Sequence, residues 1–264
     1  MEIYLPSNGK IAVNKVEMRQ PKIMDIRKSQ EYSDISEVRK TQFVKDLCKN
    51  PEQIDEITTY DRDYLFTIAV SSLNMNKISF KSTCSDKTCR HKTNDFIFIP
   101  DVEPVFLTDP VECQKTILGE TYNFRLLRVK DEIKAIDYAN IDDLTFEQRK
   151  EDALVCAALS WEVNDENINK VKNLDLSVYY AAQFFQICCP HGLNLQKTVT
   201  CAKCKKETII VMEVTGRMLN LNMAIIMDRF ASLTGKLDYK SFLDMTLPEY
   251  NFLIESLNAK YETR

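Results

Sequence analysis

Two pairs of cysteines, far apart along the chain, constrain the fold more than any other feature of this sequence. Cys201 and Cys204 form a Cys-x-x-Cys motif between two β-prone runs, and Cys84 and Cys89 flank the turn of an earlier pair of predicted strands. Two sulfurs on such a turn can face one metal ion, as in a zinc knuckle, and two to four residues between the ligands are usual. A structural zinc site needs four ligands, whereas one knuckle supplies two. We therefore expect the two knuckles to meet around a single structural zinc ion.

Other interpretations of the cysteines stay open at this point. His91, two residues after Cys89, offers a substitute for one sulfur ligand. The four cysteines could also be a former metal site kept for packing, because free cysteine is among the most often buried residues. A redox centre is the weakest of these options, since a redox Cys-x-x-Cys normally opens a helix. Cys188-Cys189-Pro190-His191 is a weak candidate for a second site. The remaining cysteines fit a core-filling role: Cys48, Cys113, Cys156 and Cys188.

Composition narrows the class of protein. The 264 residues are 44% hydrophobic and 28% charged, as in an ordinary globular protein. A net charge of -4 gives no overall attraction to nucleic acid, and five glycines are few for glycine-rich phosphate loops. No stretch has the ~20 apolar residues that span a bilayer, and the start does not resemble a secretory signal. We expect a soluble, unexported protein, in whose reducing environment cysteine pairs favour metal over disulfide.

Hydrophobic periodicity predicts an α+β protein made of a duplicated helix–strand–knuckle–strand unit. Helices are predicted over 23–48, 60–73, 131–138, 145–159 and 176–188. Strands are predicted within 3–18 and at 77–82, 95–99, 193–199 and 208–212. A zinc-ribbon-like element would join the copies. The predicted divisions are residues 1–100 with the first knuckle, 101–216 with the second knuckle, and 217–264 as a helical extension.

The C-terminal extension is predicted to be helical. A helical run spans Met218–Leu233, and Thr246-Leu247-Pro248-Glu249 has the capping box and early proline of a helix start. The stripe that follows would pack on the protein's own core or dock a partner, and the methionine-rich run before it favours docking. That stripe consists of Tyr250, Leu253, Ile254, Leu257 and Tyr261.

No catalytic constellation is evident. The chain has two histidines, His91 and His191, both beside cysteines, and it lacks nucleophile-elbow, phosphate-loop, His-Glu-x-x-His and dinucleotide motifs. Asp61-Arg62-Asp63 is the densest charge cluster, and we expect it to stabilise the first turn of a helix through capping and the helix dipole. These observations predict a protein without catalytic residues and without a small-molecule substrate.

The order of these elements resembles a known family. Leu5-Pro6-Ser7-Asn8-Gly9-Lys10 precedes a Val16-Glu17-Met18-Arg19 strand, and an Asp61-Arg62-Asp63-Tyr64-Leu65 helix start leads to the two cysteine pairs. Over residues 3–215 the sequence resembles the baseplate hub and baseplate assembly proteins of T-even-type contractile-tailed bacteriophages.

The resemblance implies a role in forming or building the tail baseplate hub, with other phage tail and baseplate proteins as partners. It places the protein in the host cytoplasm during assembly or in the baseplate of the virion. The metal-type cysteines of the family carry over onto Cys84, Cys89, Cys201 and Cys204. This sequence departs from the family in having Cys-x4-Cys in the first knuckle, where Cys-x-x-Cys is usual.

Two other functional classes stay open. A zinc-dependent hydrolase would need an open coordination position, which four thiolates do not leave. A nucleic-acid-binding zinc ribbon is favoured by local positive charge, but no aromatic residues are interleaved to stack on bases. The charged residues are Arg90, Lys92, Lys203, Lys205 and Lys206.

Overall fold

The computed structural model describes residues 1–72, 76–140, 145–212, 214–215, 239–246, 249–250 and 253. In this part of the chain the protein is α+β, as predicted, with helices and small antiparallel sheets. The helices are α1 (Ile23–Ser29), α2 (Ser36–Leu47), α3 (Gln53–Glu56), α4 (Thr59–Ser72), α5 (Val129–Ala139), α6 (Phe146–Ala158), α7 (Asp165–Lys172), α8 (Leu176–Cys188) and α9 (Tyr239–Asp244).

The strands form antiparallel pairs: β1 with β2, β3 with β4, β5 with β8, β6 with β7, and β9 with β10. Their bounds are β1 (Glu2–Tyr4), β2 (Lys15–Glu17), β3 (Lys77–Thr83), β4 (Lys92–Phe98), β5 (Pro104–Val105), β6 (Glu112–Ile117), β7 (Glu120–Arg125), β8 (Gly192–Leu193), β9 (Gln196–Thr200) and β10 (Glu207–Val211).

The two halves of the chain follow the same order of elements. A hairpin (β1–β2) leads into α1–α4 and then into a second hairpin (β3–β4). In the second half β6–β7 leads into α5–α8 and, after β8, into β9–β10. The contacts correspond as well: α2 packs on α1, α3 and α4, and α6 packs on α5, α7 and α8.

Each half also begins its first helix with the same ion pair. Arg19 donates hydrogen bonds of 2.6 and 2.7 Å to the two carboxylate oxygens of Asp25. Arg125 does the same to Asp131, at 2.6 and 2.9 Å. The backbone N–H three residues before each aspartate donates to it as well, at 2.7 and 2.9 Å. Both sequences read Arg-x-x-basic-aliphatic-x-Asp, a pattern that we call the Arg–Asp helix start.

The two larger hydrophobic cores of the described residues lie under these elements. One is built mainly from residues 3–99 and the other from residues 124–182. Leu195 directly precedes β9 and Val214 follows β10. Both belong to the first core although they lie more than 95 residues beyond Ile99. The second hairpin is therefore anchored on the first half of the chain.

A buried ion network joins α2, α4 and α5. The guanidinium of Arg62 is 1% exposed and pairs with the carboxylates of Asp63 and Glu132. Lys40 pairs with the same Asp63 at 2.9 Å. Because an unpaired charge is costly to bury, this network fixes α5 of the second half against the helices of the first.

The charge cluster at the start of α4 acts differently from the prediction. Thr58 caps the helix, since its hydroxyl accepts the N–H of Asp61 at 3.0 Å. Asp61 is fully buried and accepts the N–H of Ser7 at 2.9 Å, so it ties the N-terminal loop to the helix. Arg62 and Asp63 belong to the ion network described above. The cluster makes tertiary contacts that residue spacing along a helix does not reveal.

The single helix predicted over 23–48 is wrong, because residues 30–35 separate α1 from α2. The hydroxyl of Ser33 accepts the N–H of Ile35 at 3.2 Å, and its carbonyl accepts the Arg39 side chain at 3.0 Å. Such side-chain hydrogen bonds offer the backbone an alternative to the helical pattern.

Part of the C-terminal extension lies within the described residues. The predicted cap forms, since the N–H of Thr246 donates to the Glu249 carboxylate at 2.8 Å. Tyr250 is buried against Phe242 of α9, and Leu253 is half-buried. The run 218–233 and the stripe residues Ile254, Leu257 and Tyr261 lie outside the described residues. Among the residues described, no helix has both the length and the apolar character needed to cross a bilayer.

Removing one partner of the buried network should destabilise the fold. In Glu132→Gln the buried guanidinium of Arg62 loses one of its two carboxylates, so we expect the free energy of unfolding to fall by about 3 kcal/mol. The matched control is Glu166→Gln, which breaks the exposed i,i+4 pair with Lys170 and should cost about 0.5 kcal/mol or less. Urea denaturation measures both, and equal effects would contradict the role given to Arg62.

Candidate metal centre

The sulfurs of Cys84, Cys89, Cys201 and Cys204 lie within 4.8 Å of one another. The Sγ atoms of Cys84 and Cys204 are 3.5 Å apart, and those of Cys89 and Cys201 are 3.7 Å apart. Four thiolates bound tetrahedrally to zinc at ~2.3 Å would be separated by about 3.8 Å. All four cysteines are free of disulfides. The knuckles predicted from sequence therefore meet, and their spacing is compatible with one metal ion.

Contacts between the two hairpins hold the sulfurs together. The ammonium of Lys197 on β9 donates to a carboxylate oxygen of Asp95 and to the carbonyl of Phe96, both at 2.7 Å. The hydroxyl of Thr208 on β10 donates to that of Ser85 at 3.0 Å. These contacts join residues more than 100 positions apart, so the protein supplies the docking that a shared site requires.

The same backbone hydrogen bond closes both knuckles. The N–H of Cys84 donates to the carbonyl of His91 at 2.8 Å, and the N–H of Cys201 donates to that of Lys206 at 2.9 Å. The residue after the second cysteine is in the left-handed region in each, with φ of 44° at Arg90 and 64° at Lys205. The matching geometry lets each turn aim two sulfurs at the same point.

The two extra residues of the first knuckle are accommodated within its own turn. The N–H of Arg90 donates to the carbonyl of Asp86 at 3.1 Å, just as the N–H of Lys205 donates to Cys201 at 2.9 Å. Asp86 thus holds the backbone position that Cys201 holds in the second knuckle, and Cys84 lies two residues earlier. The Asp86 carboxylate accepts both the N–H and the hydroxyl of Thr88, which fixes the turn. The four-residue spacing therefore still brings both sulfurs into the cluster.

The thiols differ in acidity. The backbone N–H of Cys204, followed by that of Lys203, stabilises the Cys201 thiolate and lowers its pKa to about 6. For Cys84 the N–H of Asp86 acts in the same direction. There, however, desolvation and hydrogen bonds from neighbouring thiols outweigh it and raise the pKa of Cys84 to about 12. Four thiols this close cannot all ionise without a cation to neutralise them, and a divalent metal supplies that charge.

The other candidate ligands lie elsewhere. His91 contributes its backbone carbonyl to the first knuckle, and the cluster contains no ligand atom from its ring. His191 is buried, with Nδ1 2.9 Å from the carbonyl of Cys189 and Nε2 2.7 Å from the hydroxyl of Thr58. Cys188 is exposed rather than in the core, because it ends α8 on its solvent side. Within the described residues, the four-sulfur cluster is the only group of three or more candidate ligands.

A polar cavity was not foreseen from the sequence. It has a volume of about 430 Å³ and lies between α2, α4 and the residues that flank the second hairpin. Four of its charged lining residues pair with one another in the network centred on Arg62: Lys40, Arg62, Asp63 and Glu132. Sequence spacing gives no signal for it, because its charged residues include Lys40 and Glu132 from opposite halves of the chain.

Comparison with known proteins gives no relative. No protein-family model, no curated protein and no solved structure matches this chain.

The acidity of Cys201 can be measured in the metal-free, reduced protein. We expect one thiolate to appear with a midpoint near pH 6 and to be absent in Cys201→Ser. Cys48→Ser is the control and should leave this step unchanged, because burial raises the pKa of Cys48 to about 12. Ultraviolet absorbance of the thiolate reports the titration.

The same shift predicts how stability depends on pH. Because the folded-state pKa of Cys201 lies below the ordinary thiol value, its stabilisation of the metal-free fold is complete above about pH 8.5. It is lost as the pH falls through about 6. A first ionisation near pH 8.5 would contradict the geometry given for the second knuckle.

Proposed function

We propose that the four cysteines bind one structural zinc ion and that the protein acts through contacts with other proteins. The observation that carries the proposal is the cluster of four sulfurs within 4.8 Å, drawn from hairpins whose paired cysteines are 112 and 120 positions apart. Zinc favours tetrahedral thiolate ligation of this kind. When bound, the ion would fasten the β9–β10 hairpin of the second half to the β3–β4 hairpin of the first.

The ligand set supports a structural role more than a catalytic one. A catalytic zinc ion keeps a position open for water or substrate, usually with three protein ligands. Four converging thiolates fill a tetrahedral ion, so a hydrolase would need one of them to stay unbound. The spectrum of the cobalt-substituted protein distinguishes these cases, since it reports the number of sulfur ligands.

We further propose that the chain is a duplication of one unit. The shared order of elements and the corresponding helix packing support it. The Arg–Asp helix start adds independent support, because Arg19 and Asp25 make the same bidentate contact as Arg125 and Asp131. The metal ion would then lie between equivalent hairpins of the two copies, in a zinc-ribbon-like arrangement.

The biological role that fits best is assembly or construction of the tail baseplate hub of a contractile-tailed bacteriophage. This proposal rests on the sequence resemblance over residues 3–215, and the closed metal site is consistent with a protein that presents surfaces and transforms no substrate. The partners would be other baseplate proteins.

A nucleic-acid-binding ribbon is the second candidate, because basic residues surround the knuckles. The residues Arg90, Lys92, Lys203, Lys205 and Lys206 are all exposed. Such a patch would bind DNA with an affinity that falls steeply with salt. Binding that survives physiological salt would favour this candidate over the assembly role.

Metal analysis tests whether the four-sulfur cluster binds zinc. Protein purified from metal-replete medium should contain about one zinc ion per chain, and Cys201→Ser should lose both the metal and much of its thermal stability. Cys188→Ser removes an exposed cysteine outside the cluster and should keep both. A stable wild-type protein that purifies without metal would overturn the proposal.

The assembly role is tested on particles. In a phage that encodes this chain, Cys204→Ser should yield particles or tails without complete baseplates when viewed by negative-stain electron microscopy, whereas Cys188→Ser should assemble normally. Mass spectrometry of mature particles then separates a resident hub subunit from an assembly factor that leaves. Normal baseplates in a metal-free Cys204→Ser mutant would contradict the role given to the site.

A further inference from the structure

The segment before α4 docks onto the Arg–Asp helix start of α5. The carbonyl of Ile57 accepts the N–H of Val129 at 3.0 Å, and Thr58 forms an isolated antiparallel bridge with Arg128. Glu56 adds an ion pair to Arg128 at 2.9 Å. We call such a segment, made of the three residues that directly precede a helix, a docking junction. Because α5 covers it, Ile57 is fully buried.

A second docking junction lies in the C-terminal extension and binds the other helix start in the same way. The carbonyl of Met245 accepts the N–H of Ile23 at 3.2 Å, and Thr246 forms an isolated antiparallel bridge with Lys22. Asp244 adds an ion pair to Lys22 at 3.8 Å. The same three contacts, at the same relative positions, thus occur twice within one chain.

The described residues include a third segment with the features of a docking junction, at residues 173–175 before α8. In all three the last junction residue starts a helix, and its carbonyl accepts the N–H four positions later, at 3.1, 3.2 and 2.9 Å. In all three an apolar residue four positions before it is buried to 1% exposure or less. The helix-starting residues are Thr58, Asp175 and Thr246, and the buried residues are Ile54, Val171 and Phe242.

No element of the described chain bridges to this third junction. Leu174, which corresponds to the fully buried Ile57, is only partly buried and lines a groove of about 480 Å³ between α6, α7 and α8. In the first half the equivalent space, between α2, α3 and α4, is where α5 packs. The lining includes Glu151, Asp152, Leu176 and Tyr180.

The face of α8 beside the groove is apolar and exposed. Four large side chains, spaced by four, four and three residues, lie along this uncharged helix with exposures of 59–66%. The corresponding helix α4 has no exposed residue. A continuous apolar stripe of this kind marks an interaction site in a folded protein. Its residues are Leu176, Tyr180, Phe184 and Ile187.

We propose that the α6–α7–α8 groove binds the first turn of a helix from a partner protein that carries an Arg–Asp helix start. The two occupied junctions identify the occupant, because each contacts an Arg–Asp helix start in the same way. Each accepts a backbone N–H from the start and pairs an acidic residue with its basic residue. Asn173 lies where the other two junctions have Glu56 and Asp244, so the negative charge at this groove comes instead from Glu151 and Asp152 in its lining, against a single Lys172. A basic residue at the start therefore fits here too. Both starts of this chain are already bound, by Ile57 and Met245, so an intact second copy has none to offer.

A peptide tests this directly. Residues 121–139 of this chain contain a complete Arg–Asp helix start, and the labelled peptide serves as the probe for full-length protein in fluorescence anisotropy. We expect saturable binding that Leu176→Glu weakens about tenfold or more, since a charge would have to be desolvated in the groove. Leu118→Glu is the matched control, because Leu118 is exposed in the β6–β7 turn outside the groove, and it should bind as the wild type does. The same peptide with Val129→Asp should not bind.

Three results would overturn the proposal. They are no binding at millimolar peptide, binding that Leu176→Glu leaves unchanged, and self-association of the protein that Leu176→Glu abolishes in sedimentation equilibrium. The last result would make a second copy the occupant. The inference extends the proposed assembly role by describing a partner, but it can fail alone, since Leu176→Glu should leave the zinc content unchanged.

Discussion

The meeting of two hairpins from opposite halves of the chain is the constraint on which the rest of the structure depends. Bringing together sulfurs 112 and 120 positions apart costs about 4 kcal/mol in loop-closure entropy. The protein offsets that cost before any ion binds, through the anchoring of Leu195 in the first core and the pairing of Lys197 with Asp95. The metal ion that we propose would then bind to a site that is largely preformed. This arrangement suits a permanent structural centre.

The two halves share their order of elements but differ in what covers the corresponding groove. In the first half, α5 and its ion pairs cover the groove between α2, α3 and α4, and Arg62 is buried in contact with Glu132 of α5. In the second, the position equivalent to Arg62 is Tyr179, and the neighbouring face of α8 is apolar and solvent-exposed. Under the proposed duplication, a packing surface that is internal in one copy is external in the other, with only a few side chains changed. Repeated units commonly diverge in this way at their ends, where a neighbour is missing.

The sequence predicted the class of fold, the helices α4, α5, α6 and α8, the hairpins β3–β4 and β9–β10, and the four clustered cysteines. These depend on local periodicity and on ligand spacing. The pairing of Arg62 with Glu132 could not be predicted, since it joins residues 70 positions apart that look like surface charges. The Arg–Asp helix start was present in the printed sequence as two matching septets beginning at Arg19 and Arg125. The pattern alone does not predict the bidentate contact, because charged residues after a strand are usually solvent-exposed, and only the geometry shows it.

The positions of the two knuckles along the chain determine when the metal centre can form during synthesis. A ribosome adds ~5–20 residues per second, so Cys201 emerges roughly 6–20 s after Cys89, given the 112 residues between them. Throughout that interval the nascent chain offers an incoming ion only two of the four clustered sulfurs, which is half of a tetrahedral site. The proposed ion would therefore be added last, when translation has passed Cys204, and any folding of the first half before then relies on its hydrophobic core alone.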